Sequence, residues 1–429
     1  MATYINDSQL DVGNVSFDTS SFSDVEWVGI LAAIAQTDRS QVFNVGIGGS
    51  FYSHPLLHGN AIYIGCCDKN FYALDAATGR ERWRFPTKNA ICGSPSLWED
   101  VLYFGSYDGN LYAVGLDGKL VWKFSTNSKI YSMPAIADNL IVFGNQDGEI
   151  IAVDQNGTKM WSAKAEGAIC SDPWYEQGRI FIGSFDKNLY ALDAKTGAVL
   201  WRFSGNGIIG SPVVKNNIIY VPCFDGNLYA LGLDGKLKWK FPTDVQVQTT
   251  RPAVWNDTIY FVTRQGVLYA VNTNGQLIWK FPTNDILFTT PIIENGILYF
   301  GGDDFNFYAL DAKTGELQWK HAVRGPINTK AVFYKKTIIF ASNECKVHAL
   351  TLKGNSFWNF RAAISTPSPI DVEPPRRGLQ TTETVAYETT AEEENRYRME
   401  NQGVADSFGA SSTYVVKSEY TPKSKYSTK

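Results

Sequence analysis

Eight tryptophans recur along this 429-residue chain at intervals of 38 to 40 residues. A period near 40 that is kept through eight copies is typical of a solenoid or a propeller. We predict that these side chains fill the gaps between neighbouring repeats, because a large ring suits such a gap and its N–H finds a carbonyl there. The eight residues are Trp83, Trp122, Trp161, Trp201, Trp239, Trp279, Trp319 and Trp358.

Each period contains four short runs of aromatic and β-branched residues that are separated by Gly, Asp and Asn. In the second period these runs are residues 94–98, 101–104, 111–114 and 120–124. Runs of this length and composition predict β-strands, and Asp108-Gly109 predicts a tight turn between two of them. Since no segment has a sustained apolar period of 3.6 residues, we predict an all-β fold.

Four antiparallel strands in each of eight periods predict an eight-bladed β-propeller. A flat solenoid is the alternative, but solenoids need polar caps, whereas the first and last repeats keep the tryptophan pattern. We expect a strand around Phe43 to seal the ring, because residues 42–45 resemble the fourth run of later repeats. The predicted domains are an N-terminal extension at 1–40, the propeller at 41–361 and a disordered tail at 362–429, which is rich in Thr, Glu, Ser and Lys.

Composition and charge narrow the function classes. The formal net charge of −4 argues against a nucleic-acid partner, because binding of the phosphate backbone requires clustered Lys and Arg. The apolar runs are far shorter than the roughly 20 residues that a membrane-spanning helix needs, and the N-terminus has no signal-peptide pattern. Six cysteines without metal-ligand spacing then predict reduced thiols and a cytoplasmic protein.

One motif carries a family resemblance. The pattern Ala-x-Asp-x-x-Thr-Gly-x-x-x-Trp occurs in full at residues 73–83, 191–201 and 309–319. It resembles the docking motif of pyrroloquinoline-quinone (PQQ) dehydrogenases and of the larger PQQ-like repeat family, which includes BamB-like propellers and sensor domains of bacterial kinases. The resemblance implies the propeller fold. It does not imply a quinone, because most members with such repeats bind none.

A PQQ-dependent dehydrogenase is nevertheless one alternative that the resemblance raises. Such enzymes hold a Ca²⁺ or lanthanide ion and stack the quinone between a tryptophan and a vicinal disulfide, to which Cys66-Cys67 is similar in sequence. These two cysteines lie at an ordinary hairpin position of the repeat, and no set of metal ligands accompanies them. We therefore predict no catalytic residues, no bound metal and no cofactor.

Positions that change from repeat to repeat predict where a partner binds. The first series precedes the first-strand proline or its substitute, and it comprises His54, Ser94, Met133, Asp172, Ser211, Arg251, Thr290 and Lys330. The second series precedes the turn between the second and third strands, and it comprises Cys67, Tyr107, Gln146, Phe185, Phe224, Arg264, Asp303 and Asn343. Because strands alternate in direction, we expect both series at the same end of the propeller.

Nine members of these two series are candidates for contact with a partner: Arg251, Arg264, Lys330, Asp303, Asp172, His54, Tyr107, Phe185 and Phe224. The cations favour a carboxylate- or phosphate-bearing group, and the aromatic residues are typical of protein interfaces. We expect Arg251, Arg264 and Lys330 to be exposed, so that their substitution costs less than roughly 0.5 kcal/mol of stability.

The leading hypothesis is a non-catalytic scaffold that binds a protein or peptide partner across this end of the propeller. A small-molecule sensor that uses the central channel is the alternative from another class.

Overall fold

A computed structural model describes residues 50–362 and two short strands that precede them. The two strands, β1 (Gln9–Val12) and β2 (Val15–Asp18), pair as an antiparallel hairpin within a unit that contains Met1–Ile47. Residues 50–362 belong to a second compact unit, Gly48–Thr366. The predicted strand around Phe43, the predicted boundary at residue 41 and the predicted tail beyond Ala362 lie outside the described residues.

Eight four-stranded antiparallel sheets follow one another along residues 56–361, and each uses four consecutive strands in chain order. We number these sheets blades 1 to 8. Blade 1 is β3 (Leu56–His58), β4 (Ala61–Gly65), β5 (Asn70–Asp75) and β6 (Glu81–Pro86). Blade 2 is β7 (Ser96–Trp98), β8 (Val101–Gly105), β9 (Asn110–Gly115) and β10 (Leu120–Ser125). Blade 3 is β11 (Ala135–Ala137), β12 (Leu140–Gly144), β13 (Glu149–Val153) and β14 (Lys159–Lys164). Blade 4 is β15 (Trp174–Glu176), β16 (Arg179–Gly183), β17 (Asn188–Asp193) and β18 (Val199–Ser204).

The second half of the ring repeats the same plan. Blade 5 is β19 (Val213–Lys215), β20 (Ile218–Cys223), β21 (Asn227–Gly232) and β22 (Leu237–Pro242). Blade 6 is β23 (Ala253–Trp255), β24 (Thr258–Val262), β25 (Val267–Asn272) and β26 (Leu277–Pro282). Blade 7 is β27 (Ile292–Glu294), β28 (Ile297–Gly301), β29 (Asn306–Asp311) and β30 (Leu317–Ala322). Blade 8 is β31 (Val332–Tyr334), β32 (Thr337–Ser342), β33 (Lys346–Thr351) and β34 (Ser356–Arg361).

The ring closes between blade 8 and blade 1. Their first strands, β31 and β3, contact each other, and a buried apolar cluster joins the two blades. Seven further clusters join the other neighbouring pairs, so the described core is divided among the eight blade interfaces. The prediction of an all-β, eight-bladed propeller is therefore confirmed, and a solenoid with two open ends is excluded.

The eight repeated tryptophans lie between blades, as predicted. Each ring packs on a glycine in the turn between the third and fourth strands of the next blade, and Trp358 packs on Gly79 of blade 1. The indole N–H of Trp83 donates to the Leu116 carbonyl at 2.9 Å. Six of the other tryptophans make the corresponding bond, and the indole N–H of Trp358 has no partner among the described residues.

The turn glycines are required by this packing. Gly197 has a φ of +73°, and a Cβ added there would lie 2.5 Å from Cε3 of Trp161. Glycine alone combines a low-cost positive φ with the absence of a Cβ. The Thr-Gly of the repeated motif is thus explained by contact with the tryptophan of the preceding blade.

The alanine and the aspartate of the motif also have structural roles. The alanine of the third strand pairs directly with the tryptophan of the fourth, as Ala191 does with Trp201, and a β-bulge follows the pair in every blade. The Asp193 carboxylate accepts from the backbone N–H of Lys195 and from the N–H and hydroxyl of Thr196, which fixes the turn. The motif therefore encodes the blade and its junction rather than a ligand site.

Candidate functional site

The two variable series lie at one end of the propeller. In each blade, the backbone N–H of the second-series residue donates to a carbonyl in the segment that leads into the first strand. The Tyr107 N–H, for example, donates to the Ala90 carbonyl at 2.9 Å, four residues before Ser94 of the first series. The expectation that both series occupy the same end is therefore confirmed, and we call this the channel end.

A cavity opens at the channel end. All eight blades contribute to its wall, so the cavity lies on the central axis of the ring. The lining residues are Tyr52, His54, Cys92, Gly93, Ser94, Tyr131, Cys170, Asp172, Ser211, Thr249, Thr250, Arg251, Phe288, Thr290 and Asn328. Three of the predicted contact residues, His54, Asp172 and Arg251, line the cavity. A fourth, Lys330, donates a backbone hydrogen bond to His54.

Sequence reasoning missed a third set of residues in the wall. In seven blades, the residue two positions before the first series also lines the cavity: Tyr52, Cys92, Tyr131, Cys170, Thr249, Phe288 and Asn328. Residues i and i−2 of an extended segment face the same side. This periodicity would have found the set, which makes the wall aromatic and thiol-bearing in blades 1 to 4.

Side chains of the first series connect neighbouring blades. The backbone N–H of Lys330 in blade 8 donates to Nδ1 of His54 in blade 1 at 3.2 Å, and the His54 N–H donates to Ser94 Oγ in blade 2 at 2.9 Å. In the same way, the Met133 N–H donates to Asp172 Oδ1 at 2.8 Å, and the Asp172 N–H donates to Ser211 Oγ at 2.9 Å. These variable residues therefore contribute to the ring as well as to the cavity.

His54 is a neutral imidazole in this setting. Its burial, with Lys330 and Arg251 nearby, lowers its pKa from about 6.5 to about 3. Because Nδ1 accepts the Lys330 N–H, the proton of the neutral ring resides on Nε2. His54 thus offers one N–H donor and carries no charge near pH 7.

The Arg251 side chain reaches from blade 6 past blade 5 to blade 4. Its Nε donates to the Pro212 carbonyl at 3.0 Å, and one terminal nitrogen, Nη2, donates to the carbonyls of Asp172 and Pro173 at 3.1 Å each. The guanidinium also lies 5.1 Å from the centre of the Trp174 ring, at cation–π distance. Burial lowers the pKa of Arg251, and the nearby Asp172 partly opposes this. Arg251 is half-buried rather than exposed, which corrects the expectation that its replacement is nearly neutral.

Lys330 is half-buried as well. Burial lowers the pKa of its amine, and the nearby Arg251 lowers it further, while Asp172 opposes the shift. The expectation that Lys330 is exposed is therefore wrong, as it is for Arg251. The segments before the first strands line the cavity, so Arg251 lies in its wall and Lys330 lies beside the lining residue His54 instead of in solvent.

The second series is more buried than predicted. Arg264 is 6% exposed, Asp303 2%, Tyr107 4% and Phe224 7%, and Phe185 is half-buried. The expectation that Arg264 is an exposed loop residue is therefore wrong. Two members of the series contact the segment that leads into the next blade. The Tyr107 ring centre lies 6.5 Å from that of Tyr131, and Sγ of Cys67 lies 3.5 Å from Sγ of Cys92.

Burial perturbs the two charged members of the second series. It lowers the pKa of Arg264 to about 10, which Asp303 partly opposes. It also raises the pKa of Asp303, and the carboxylates of Asp285 and Asp304 raise it further while Arg264 lowers it. Each of the two groups favours the charged form of the other, but burial outweighs this effect on both pKa values, and neither side chain is presented to solvent.

The two consecutive cysteines do not pair with each other. None of the six cysteines forms a disulfide. Sγ of Cys67 lies 3.5 Å from Sγ of Cys92, which belongs to the next blade and lines the cavity. Hydrogen bonding to Cys92 and burial raise the pKa of Cys67, and burial raises that of Cys66. Both thiols are therefore protonated and weakly reactive near pH 7.

Blade 8 departs from the others at the turn that follows the second series. In five blades an aspartate there accepts from a tyrosine hydroxyl. In blade 8, Glu344 instead pairs with Lys346 Nζ at 2.7 Å and with His348 Nε2 at 3.1 Å. Burial would raise the pKa of Glu344, but His348 and Lys346 outweigh it and lower the pKa to about 2. This cluster maintains the turn by charge where other blades use Tyr and Asp.

Two wider features bear on the function classes. Within residues 50–362, no three His, Cys, Asp or Glu side chains come together in a way that would hold a metal ion. Over the same described part of the chain, no helix has the length and apolar character needed to cross a membrane.

Comparison with known structures identifies the same architecture in several proteins. BamB from Moraxella catarrhalis superposes with a TM-score of 0.63 at 17% identity, over 72% of this chain and 98% of that one. Sqt1 from Saccharomyces cerevisiae superposes with a TM-score of 0.63 at 13% identity, over 71% and 96% of the two chains. A europium-containing methanol dehydrogenase gives 0.58 at 13% identity, over 71% and 83%. At these identities the likeness extends to the fold alone.

Sequence comparison gives the family. A search of curated proteins found no match. The family described as outer membrane protein assembly factor BamB matches residues 28–163, 146–254 and 225–368. These overlapping matches cover all eight blades. They therefore include every copy of the repeated motif. The chain therefore belongs to the PQQ-like propeller family of the assembly factor BamB.

Proposed function

We propose that this propeller is a non-catalytic scaffold that binds a protein or peptide partner across its channel end. The observation that supports it most is the concentration of blade-specific chemistry at that end. The same blade is copied eight times, yet the residues around the cavity differ from copy to copy. A binding surface requires such variation, whereas the packing of blades does not.

The accessible part of the proposed surface is the rim of the cavity. Phe185 is the half-buried member of the predicted aromatic anchors, and Lys88, Asp147 and Glu166 are exposed in turns and linking segments at the same end. Aromatic anchors surrounded by polar groups are the usual arrangement of protein interfaces. The family description, which names an assembly factor, also favours a protein partner.

Affinity capture from the native source tests the proposal. We expect Phe185→Ala to lose the partner that the unaltered chain captures. The matched control is Phe357→Ala, because Phe357 is 59% exposed on the fourth strand of blade 8, at the outer edge. That control should keep the partner, and both variants should melt close to the unaltered protein. The captured protein must then bind again as a purified component.

A shortened chain that ends at Arg361 distinguishes the propeller from the segment beyond it. We expect this chain to keep the partner. Capture that survives Phe185→Ala but disappears when residues 362–429 are removed would contradict the proposal and assign binding to that segment.

The proposal that the protein is not an enzyme is supported by the donor set rather than by any single residue. A quinoprotein dehydrogenase, the enzyme class that the resemblance raises, holds its cofactor with metal ligands and a vicinal disulfide. In the described part of the chain, Cys67 instead lies beside Cys92, and no metal-holding cluster occurs. Addition of PQQ with Ca²⁺ should therefore produce no alcohol- or aldehyde-dependent dye reduction, and a stoichiometric, substrate-dependent reaction would refute this part. A cytoplasmic location remains a prediction from the cysteine pattern.

A further inference from the structure

The channel cavity contains positive charge that the described residues do not neutralise. Arg251 and Lys330 form no ion pair among them. Asp172 is the one carboxylate in the described lining, and its Oδ1 already accepts the Met133 N–H. With His54 neutral, the local balance is two positive charges against one negative charge.

Arg251, Lys330 and His54 each have a hydrogen-bond donor without a partner among the described residues. Three carbonyls occupy Nε and Nη2 of Arg251, which leaves the two N–H groups of Nη1 without a partner in the described part of the protein. Among the described residues, Lys330 donates a hydrogen bond only from its backbone, so its ammonium is also available there. The Nε2–H of His54 is the third donor, since Nδ1 already accepts the Lys330 N–H.

The three groups are close enough to affect one another. Lys330 and Arg251 both contribute to lowering the pKa of His54, and Arg251 contributes to lowering that of Lys330. Three hydrogen bonds to backbone carbonyls and the Trp174 ring fix the position of the guanidinium. Preorganised donors of this kind lose little conformational freedom when a ligand binds.

A second observation also indicates a polar ligand. Asn328 lines the same cavity, is 8% exposed, and has a buried Oδ1 with no hydrogen-bond partner among the described residues. Buried polar atoms are nearly always hydrogen-bonded to protein, water or ligand. The amide of Gln248, next to the lining residue Thr249, is likewise buried with neither Nε2 nor Oε1 paired. Of these atoms only the donor Nε2 can bind an oxyanion directly, whereas the two acceptor oxygens require a water molecule or a hydroxyl group.

From this geometry we propose that the cavity binds a small oxyanion, a carboxylate or a phosphate, through Nη1 of Arg251, Nζ of Lys330 and Nε2–H of His54. A guanidinium and an ammonium together match the two oxygens of such a group. This site does not depend on the proposed protein partner, because its ligand is a small anion within the channel.

Calorimetric titration of the full chain with inorganic phosphate, and separately with succinate, tests the proposal at constant ionic strength set with chloride. We expect one site per chain for at least one of the two anions, and its identity distinguishes phosphate from carboxylate. Lys330→Met should weaken this binding about tenfold or more, because a charged hydrogen bond is lost. The fold should remain, since the Lys330 amine has no partner in the described protein.

Two further variants make the test selective. Lys353→Met removes an exposed lysine of the same blade and should leave binding unchanged. Asp172→Asn keeps the acceptor for the Met133 N–H but removes the competing negative charge, so it should tighten binding. Absence of saturable binding for both anions would overturn the proposal, as would equal affinities in the Lys330→Met and unaltered proteins.

Discussion

Replacement of the turn glycine Gly197 by alanine tests how the blades are joined. At φ +73° an alanine costs about 1 kcal/mol relative to glycine. Its Cβ would also lie 2.5 Å from Cε3 of Trp161, whose ring is 7% exposed and has little room to move. Overpacking of this kind costs about 1–3 kcal/mol. Loss of the bond from Trp161 Nε1 to the Ala194 carbonyl, 2.9 Å long, adds about 1 kcal/mol.

The expected total for Gly197→Ala is therefore about 3–5 kcal/mol. Gly178 of the same blade is the matched control, because its φ is +74° and no atom lies within 4 Å of an added Cβ. Gly178→Ala should cost only about 1 kcal/mol. Urea unfolding followed by tryptophan fluorescence measures both free energies. Equal losses in the two variants would refute the reasoning, since the contact with Trp161 would then contribute nothing.

Three further predictions concern the junctions and the titrating groups. In urea unfolding, Trp201→Phe should cost about 1 kcal/mol more than Trp358→Phe. The Trp201 N–H donates to the Leu233 carbonyl, whereas the Trp358 N–H is buried without a partner in the described chain. A larger loss for Trp358→Phe would contradict this. The pKa of Glu344, lowered to about 2 in the folded protein, lies below its unfolded value of about 4.3, so its stabilisation is present above the unfolded value and is lost as the pH falls toward 2. Glu344→Gln should therefore lose less stability between pH 6 and pH 3 than the unaltered protein, and parallel losses would exclude the pairing. The His54 imidazole, with a pKa of about 3, should show no NMR titration between about pH 8 and pH 4.5, and a midpoint near about 6.5 would show that it is not buried as described.

The repeat architecture could be predicted from the sequence because the residue pattern of a blade is local and occurs in eight copies. The tryptophans, the turn glycines and the third-strand alanines recur at intervals of 38 to 40 residues, so Trp83 in one copy predicts the role of Trp201 in another. The strands of blade 2 were placed to within about two residues, which is the usual uncertainty of such boundaries.

The burial of the candidate site could not be predicted in the same way. Arg251 bonds to the carbonyl of Asp172, 79 residues earlier and two blades away, which no local pattern encodes. Cys67 contacts Cys92 through the packing of two blades, whereas the sequence drew attention to its neighbour Cys66. The position of the variable residues at one end followed from strand direction, but their inward orientation depends on how the linking segments pack around the axis.

Site-specific photo-crosslinking tests the central claim, a partner at the channel end, most directly. Glu166 and Lys195 are both exposed, and they lie at opposite ends of β17 in blade 4, since the Glu166 N–H donates to Asp186 just before the strand and Lys195 follows it. A photoreactive residue at position 166 should crosslink to a partner protein in lysate of the native source, and the same residue at position 195 should not. Crosslinks to the same partner from position 195 alone, or equally from both positions, would contradict the account.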